Sequence, residues 1–315
     1  MTEPNQTVLT YFIIKGISDI PQLQVLIFLL VLLIYLITLG GNTAILLLVC
    51  WDSHLHTPMY FFLCNLSVLD VSAINVTLHK IFAIFISGDK TVSFLACMVQ
   101  VCIFLWLSGN ELLLLTAMSY DRYVAICDPL RYRTVMNLKV CCLLALFCWL
   151  WSLVQILPPV FILASFSCYS SIEINHFFCD IAPLMKLSCS DTSSLELVIL
   201  TEGVLLSTFT PFVLTFTSYV FIIITIMRIK TNTGRRKAFY TCSSHLTIVI
   251  ILYVILVCQY MVPTSASMLN YNKLFSMFNT AAVPMLNPLI YSLKNKDVQA
   301  SARRMLRYCH VALMY

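Results

Sequence analysis

Long apolar stretches, separated by short charged or polar segments, run along the whole chain. Residues 20–51 carry no charge, and within them Leu23–Val49 is the first predicted span. Each later stretch also holds the roughly 20 mostly apolar residues that cross about 30 Å of hydrocarbon as one helix. The pattern therefore predicts seven membrane helices, of which the later six lie near Pro58–His79, 91–126, 140–172, 203–227, 238–272 and 274–293.

The predicted fold class is an all-α membrane protein, a seven-transmembrane helix bundle with a short amphipathic eighth helix. The eighth helix is expected at Lys294–Tyr308, where basic and apolar residues alternate with a helical period. We expect residues 1–22 to form an extracellular tail, 23–293 the transmembrane domain, and 294–315 the cytoplasmic amphipathic helix and tail.

The composition supports lipid as the main solvent of this chain. Sixty per cent of the 315 residues are hydrophobic and only 10% are charged, whereas a soluble globular chain carries about 25% charged residues. Such a composition excludes a soluble domain, a disordered chain, a nucleic-acid-binding protein and a secreted disulfide scaffold. The seven glycines and the lack of short alternating stretches argue against an outer-membrane barrel.

Basic residues predict the orientation of the bundle. Most of the 19 lysine and arginine residues fall in three segments, which are 122–139, 228–237 and 294–307. Because basic loops stay on the cytoplasmic side, an odd number of spans places the N-terminus outside the cell, in a multi-pass protein of the plasma membrane surrounded by lipid. Asn5 begins an Asn-Gln-Thr glycosylation triplet in this outer tail.

Four of the 14 cysteines are expected on the oxidising side of the membrane. Cys97 begins the third span at its outer end, and Cys168, Cys179 and Cys189 share the long loop before the fifth span. Four cysteines allow three pairings. We expect Cys97–Cys179, which ties the loop to the third span, and Cys168–Cys189, which closes the loop on itself.

Two carboxylates are predicted deep in the bundle, Asp70 in the second span and Glu111 in the third. Ionisable groups at that depth are costly unless they are paired or hydrated. Two neighbouring carboxylates either share a proton or hold a cation. We favour a sodium ion, with a shared proton as the alternative, and expect no other metal or cofactor.

Asp121-Arg122 stands at the inner end of the third span. The carboxylate can neutralise the guanidinium at rest and release it when the helices open. The alternative is a surface pair that only anchors the helix end, with the arginine reaching toward water.

Several segments resemble those of the odorant receptors, a branch of the rhodopsin-like G-protein-coupled receptors, in their tetrapod-type class. The resemblance runs from the first span to the basic tail. The matching segments are LHTPMYFFL at 55–63, MSYDRYVAIC at 118–127, SY at 218–219, KAFYTCSSHL at 237–246 and PMLNPLIY at 284–291.

This resemblance implies a receptor that binds a small volatile molecule in the outer half of the bundle, between the third, fifth, sixth and seventh spans. The implied wall is apolar with a few hydroxyl groups. Carried over position by position, it comprises Phe104, Leu105, Ser108, Gly109, Gly203, Ser207, Leu256, Tyr260, Met277 and Thr280. Tyr253, about one helical turn below Leu256, is the implied switch that senses the ligand.

The resemblance also implies a heterotrimeric G protein of the stimulatory olfactory type, which raises cAMP, as the cytoplasmic partner. The implied coupling residues, Asp121, Arg122, Tyr219, His245 and Tyr291, lie at the inner ends of the spans. Ligand binding is expected to swing the sixth helix outward, so that Arg122 leaves Asp121.

The chain departs from the family pattern at four positions, with Ser119, Tyr240, Val254 and Glu202 in place of the usual residues. Tyr240 and Val254 lie on the moving helix, so they bear on basal activity. Glu202 stands where a small residue is usual. It either faces the pocket and favours polar ligands or forms a hydrogen bond within the bundle, and we favour the second.

The sequence lacks the residues that other functions would require. Residues 274–293 contain no lysine to bind retinal, and Phe104 stands where an amine receptor of the superfamily places an acid. A transporter or channel needs a continuous polar path through the bundle, which two deep carboxylates do not supply. Neither Gly-x-Ser-x-Gly nor His-Glu-x-x-His occurs, so we do not expect an enzyme.

Overall fold

A computed structural model describes residues 10–17, 20–261 and 269–312. Its described residues form seven long helical segments, a final helix and a small outer sheet. The spans, first to seventh, are Pro21–Trp51, Pro58–Ser87, Phe94–Cys127, Leu138–Ala164, Ser193–Arg228, Asn232–Met261 and Leu269–Lys294, and Lys296–Ala312 follows as the final helix. Short helices cover Tyr132–Val135 and Ile181–Leu187, and a 3-10 turn covers Ser53–Leu55.

The first five spans are each long and apolar enough to cross a membrane, and the sixth qualifies when its two parts, bent by 45°, are taken together. The last segment, Leu269–Lys294, packs against the first, second and sixth spans. This arrangement confirms the seven-helix bundle.

Two spans depart from regular α-helix. The fifth contains a π-helical segment at Ile199–Phe209, and the seventh contains one at Phe278–Ala282. A π-helix has i→i+5 hydrogen bonds and a wider turn than an α-helix. Side chains after each segment therefore point in directions that an α-helical period does not predict.

Local signals explain where several helices begin and end. Proline occupies the first turn of both the first and the second span, where its missing N–H costs no hydrogen bond. Ser93 and Asn137 cap the third and fourth spans by accepting from the N–H groups of Ala96 and Val140. Gly88 ends the second span with a left-handed φ of 70°.

The polarity of the bundle is inverted relative to a soluble protein. Large apolar side chains such as Leu26 and Ile86 are exposed on its outer surface, by 62% and 78%. Asn42, Ser67 and Asp70 are buried between the helices. Lipid solvates the first group, whereas the second requires partners inside the protein.

A three-stranded sheet covers one end of the bundle, which we call the outer end after the predicted orientation. Strand β1 (Tyr11–Ile14), from the predicted outer tail, lies between β2 (Thr91–Ser93), to which it is antiparallel, and β3 (Glu173–Ile174), to which it is parallel. Phe12 and Ile14 are fully buried beneath it. The tail, the loop after the second span and the long loop after the fourth therefore meet at one end.

The final helix is attached to the opposite end. Val298 is buried and Met305 packs against the core, while Leu306 is exposed. Arg304 forms an ion pair with the buried Asp52 in the turn after the first span, and this bond holds the pKa of Asp52 below its usual value. Tyr60 donates a hydrogen bond to Asn295 at 3.1 Å. These contacts join the final helix to the first two spans.

Candidate functional site

A cavity of about 280 Å³ lies in the outer half of the bundle, and we call it the outer cavity. Side chains of the third to seventh spans surround it, and the helix Ile181–Leu187 of the outer loop contributes Ile181, Ala182 and Met185. Seven of the residues proposed from the sequence line it: Phe104, Leu105, Ser108, Gly109, Gly203, Ser207 and Leu256.

The seventh span meets the outer cavity through Asn279, and neither Met277 nor Thr280 lines it. Met277 packs instead among Phe104, Phe177 and Phe178. Thr280 is buried and donates its hydroxyl to the carbonyl of Ser276 at 2.8 Å. The prediction of Met277 and Thr280 as wall residues of this cavity is therefore wrong.

Two further sequence-predicted residues are the wall residue Tyr260 and the switch residue Tyr253. The side chain of Tyr260 lies outside the described residues. Tyr253 lines an apolar groove between the fifth and sixth spans, and its ring meets that of Phe212 edge-on with centroids 5.1 Å apart. Leu252 and Leu256, its neighbours on the same helix, do line the outer cavity.

The π-helical segment of the fifth span places five side chains on the cavity wall. They are Ile199, Glu202, Gly203, Ser207 and Thr208. Residues four or five apart share a face when the turn is wider than in an α-helix. This winding explains why residues 199, 203, 207 and 208 meet one cavity.

Sequence reasoning missed the contribution of the fourth span. Ser152, Gln155, Ile156 and Pro159 all line the outer cavity. Gln155 is 9% exposed, and neither its amide nitrogen nor its amide oxygen has a hydrogen-bond partner among the described residues. The sequence feature that could have indicated this contribution is a polar glutamine within a long apolar stretch that has no charged residue.

Glu202 lines the outer cavity, and its buried Oε2 has no hydrogen-bond partner in the described part of the protein. The expectation that Glu202 bonds within the bundle is therefore wrong for this oxygen. Glu202 lies within the π-helical segment, next to Gly203 on the cavity wall.

Asp180 closes the outer side of the cavity. Its Oδ1 accepts a hydrogen bond from the N–H of Ile181 at 2.8 Å and so caps the following helix. Burial raises the pKa of this carboxyl group to about 6. The preceding residue, Cys179, forms a disulfide with Cys97, the pair expected from the sequence, and its N–H donates to the side chain of Gln100 at 2.9 Å.

Cys168 and Cys189, the second pair expected from the sequence, are exposed thiols whose side chains contact each other, so their disulfide stays a prediction. Backbone pairing also joins their segments. Tyr169 and Ser188 form a β-bridge, and the N–H of Cys189 donates to the carbonyl of Cys168 at 3.0 Å. These hydrogen bonds bring the two cysteines together in this part of the loop.

Asp70 lies in a buried polar cluster below the outer cavity. The amide of Asn287 donates to both of its carboxylate oxygens at 3.0 Å and also interacts with Glu111. Asn42 interacts with Asp70 and donates to the carbonyl of Pro284 at 3.3 Å. Ser108 lines the outer cavity. The described residues contain no group of three His, Cys, Asp or Glu side chains arranged around one point.

The predicted coupling residues lie at the inner end of the bundle. Arg122 is buried and paired with Asp121, whose other oxygen accepts from the hydroxyl of Tyr132 at 2.7 Å. The hydroxyl of Tyr219 and Nδ1 of His245 are 2.6 Å apart and join the fifth and sixth spans. Tyr291 is fully buried, and its hydroxyl has no partner among the described residues.

Comparisons with known proteins agree with these features. The sequence model of the family described as "Olfactory receptor" matches residues 31–308. The chain is 43% identical over 306 residues to olfactory receptor 5AR1 of Mus musculus, covering 97% of this chain and 98% of that protein. It is also 43% identical over 303 residues to olfactory receptor 6C1 of Homo sapiens, covering 96% and 97% of the two chains.

The fold is similar to that of squid rhodopsin, with a TM-score of 0.73 over 93% of this chain and 88% of that chain. The sequence identity of the two is 19%, so this likeness concerns the arrangement of the helices alone.

Proposed function

Because this chain belongs to the olfactory receptor family, we propose that it binds a small volatile odorant in the outer cavity and then activates a stimulatory, olfactory-type G protein. As a member of that family it is a G-protein-coupled, multi-pass membrane receptor and not an enzyme. The raised cAMP level is the expected output.

The outer cavity is the observation that carries this proposal. Its volume of about 280 Å³ lies near the lower limit of about 300 Å³ for small-molecule pockets. Phe104, Leu105 and Leu256 line it together with the small residues Gly109 and Gly203. A wall of this kind suits a compact ligand held mainly by burial of its hydrocarbon.

The proposed output depends on the inner end of the bundle. In the described state Arg122 is buried beside Asp121 at the end of the third span, and the Tyr219–His245 bond joins the fifth and sixth spans. An activating ligand must bind the open state more tightly than this closed state, since equal affinity for both shifts nothing. In the open state Arg122 leaves Asp121, and Tyr219 and Tyr291 move toward the vacated space to admit the G protein.

The buried cluster of Asp70, Asn287 and Glu111 either holds a sodium ion or shares a proton, and we favour the ion. Asp70 and Glu111 both interact with one amide, that of Asn287. Carboxylate and amide oxygens suit a small cation. Sodium titration of agonist potency would separate the two, because a shared proton gives no dependence on sodium at constant ionic strength.

A cavity-filling variant tests the site. The position of a Cβ atom at Gly203 meets only Ile199, at 3.8 Å, so a larger side chain enters the cavity without a backbone clash. We expect Gly203→Leu to lower odorant potency at least tenfold, or about 1.4 kcal/mol, in a cAMP assay with a panel of volatiles and the olfactory-type G protein. Surface staining reports folding.

Gly40→Leu is the matched control, because Gly40 is exposed on the outside of the bundle and a Cβ there meets nothing within 4 Å. It should leave potency unchanged. An unaltered response of Gly203→Leu at normal surface density would place the odorant elsewhere.

A further inference from the structure

Three carboxylic side chains line the outer cavity, each from a different part of the chain. Glu111 belongs to the third span, Asp180 to the outer loop and Glu202 to the fifth span. Among the described residues, no lysine, arginine or histidine lines the same cavity. The cavity therefore offers oxygen acceptors and no cationic group to neutralise an anion.

Several of the polar atoms at this cavity lack partners within the protein. Glu202 Oε2, Glu111 Oε1 and both polar atoms of the Gln155 amide are buried without a hydrogen-bond partner among the described residues. Gln155 is 9% exposed and so is more than nine-tenths buried. Buried polar groups are nearly always hydrogen-bonded, so a ligand with hydrogen-bonding groups can pair with these atoms inside the cavity.

We infer that this receptor selects volatiles with a hydrogen-bond-donating head group, an amine or an alcohol, on a short apolar chain, and rejects carboxylic acids. The inference rests on the proposed odorant function of the outer cavity and specifies its ligand class. Glu202 accepts the donor hydrogen, and Gln155 offers both an acceptor oxygen and an amide N–H.

The charge of the ligand's head group determines why the cavity favours a protonated amine and rejects an ionised carboxylic acid. A protonated amine gains a charge-assisted hydrogen bond to a carboxylate, which is stronger than a bond between neutral groups. An ionised carboxylic acid brings a like charge beside Glu202 and Asp180 in a cavity that has no cation to compensate. On the third span, Phe104 is apolar and Glu111 already interacts with Asn287. The acid that meets an amine is therefore Glu202 of the fifth span.

The hydrocarbon part of the ligand has its own surface. Leu105, Ile156 and Leu256 line the same cavity as the polar groups. A short alkyl or cyclic chain is buried against them, while its head group meets Glu202 and Gln155. Because the cavity wall has an apolar part and a polar part, it fits a ligand with one apolar end and one polar end.

The test uses the full-length receptor in cells that supply the G protein and a cAMP reporter. The probes are alcohols, amines, esters and carboxylic acids with matched alkyl chains, from butyl to decyl. We expect the activating compounds to be amines or alcohols. Loss of a charge-assisted hydrogen bond in Glu202→Gln should weaken an activating amine at least about tenfold, whereas Glu202→Asp should retain most of its potency.

Glu196→Gln is the matched control, because Glu196 is exposed and does not line the cavity. It makes the same change of charge six residues earlier in the same span. Gln155→Leu provides a second test that leaves the carboxylate in place, and it should weaken alcohols at least as much as amines. If Glu202→Gln fails to reach the surface, Gln155→Leu carries the comparison alone.

Activation by carboxylic acids, or an unchanged amine potency in both variants at normal surface density, would overturn the inference and leave the odorant function standing. Failure of every volatile class to raise cAMP in a receptor present at the surface would overturn the odorant function, and this inference with it.

Discussion

Asp180 has two roles at the residue scale, since it caps the helix Ile181–Leu187 and lines the outer cavity. Burial raises its pKa from 3.8 to about 6. The folded state therefore binds this proton more tightly than the unfolded state. The contribution of Asp180 to stability is most favourable below pH 3.8 and is lost as the pH rises through about 6.

Asp180→Asn keeps a cap oxygen and removes the ionisable group. We expect the variant to be more stable than the parent at neutral pH by up to about 3 kcal/mol, with the difference disappearing near pH 4, where both are neutral. Thermal unfolding in detergent across this pH range measures the effect.

His176, whose pKa burial lowers to about 3, titrates in the same window with the opposite sign. It is present in both proteins, so the difference between them isolates Asp180. A difference that does not change with pH would contradict the assignment of the buried carboxylate.

Arg122 supports a second prediction at this scale. Arg122→Ala should abolish odorant-dependent cAMP while leaving surface expression largely intact, because it removes the group proposed to meet the G protein. A reporter assay with surface staining measures both. Arg133→Ala, at an exposed arginine in the next intracellular segment, should signal normally, and full signalling by Arg122→Ala would exclude the proposed coupling role.

Single residues also show which parts of the cavity wall the sequence alone could and could not predict. Phe104, Ser108 and Gly203 were placed on the cavity wall by resemblance, and the structure puts them there. Gln155 was missed because a lone glutamine in an apolar helix gives no indication of which way it faces. Only the packing of the fourth span against the third and fifth places Gln155 at the cavity.

At the scale of elements, the two π-helical segments have the largest effect on the site. Glu202 of the first segment and Asn279 of the second line the cavity, whereas Met277 and Thr280 do not. Hydrophobic periodicity assumes 3.6 residues per turn, so it cannot locate such a change of phase. The helices were predictable, and the resemblance placed Gly203 and Ser207 of the fifth span correctly, but the cavity-facing residue of the seventh span was not predicted.

The first and seventh spans approach each other closely at Gly41. A Cβ atom there would lie 2.9 Å from both Cβ and Cγ of Pro288. We expect Gly41→Ala to force these helices apart and to destabilise the receptor by about 1–3 kcal/mol, measured by thermal unfolding in detergent and by surface expression.

Gly40→Ala, at the neighbouring position, meets nothing within 4 Å. It controls for the higher helix propensity of alanine and should be neutral or stabilising. Equal stability of the two alanine variants would show that the helices can move apart without cost.

At the scale of the whole molecule, the first strand and the final helix lie at opposite ends of the bundle. Strand β1 lies in the sheet with β2 and β3, whereas the final helix packs against the turn after the first span at the opposite end of the bundle. The three basic segments, 122–139, 228–237 and 294–307, lie at the same end as the final helix. We therefore propose an extracellular N-terminus, with Asn5, which lies outside the described residues, as a glycosylation site.

Epitope tags test this orientation. An N-terminal tag should be accessible to antibody on intact cells, and a C-terminal tag should require permeabilisation, because the positive segments stay in the cytoplasm. A tag in the short segment between the fifth and sixth spans, at Lys230, should behave like the C-terminal tag. Exposure of both termini on the same side would contradict an odd number of spans.

The sequence by itself determined that lipid surrounds the chain, where the helices lie along it, and which of its ends is basic. These are local properties, because the length and charge of each segment alone decide whether it crosses hydrocarbon. Tertiary structure decided which side chains share a cavity. Gln155, Asp180 and Glu202 meet only because helix rotation, π-helical winding and the docking of the outer loop bring distant segments together.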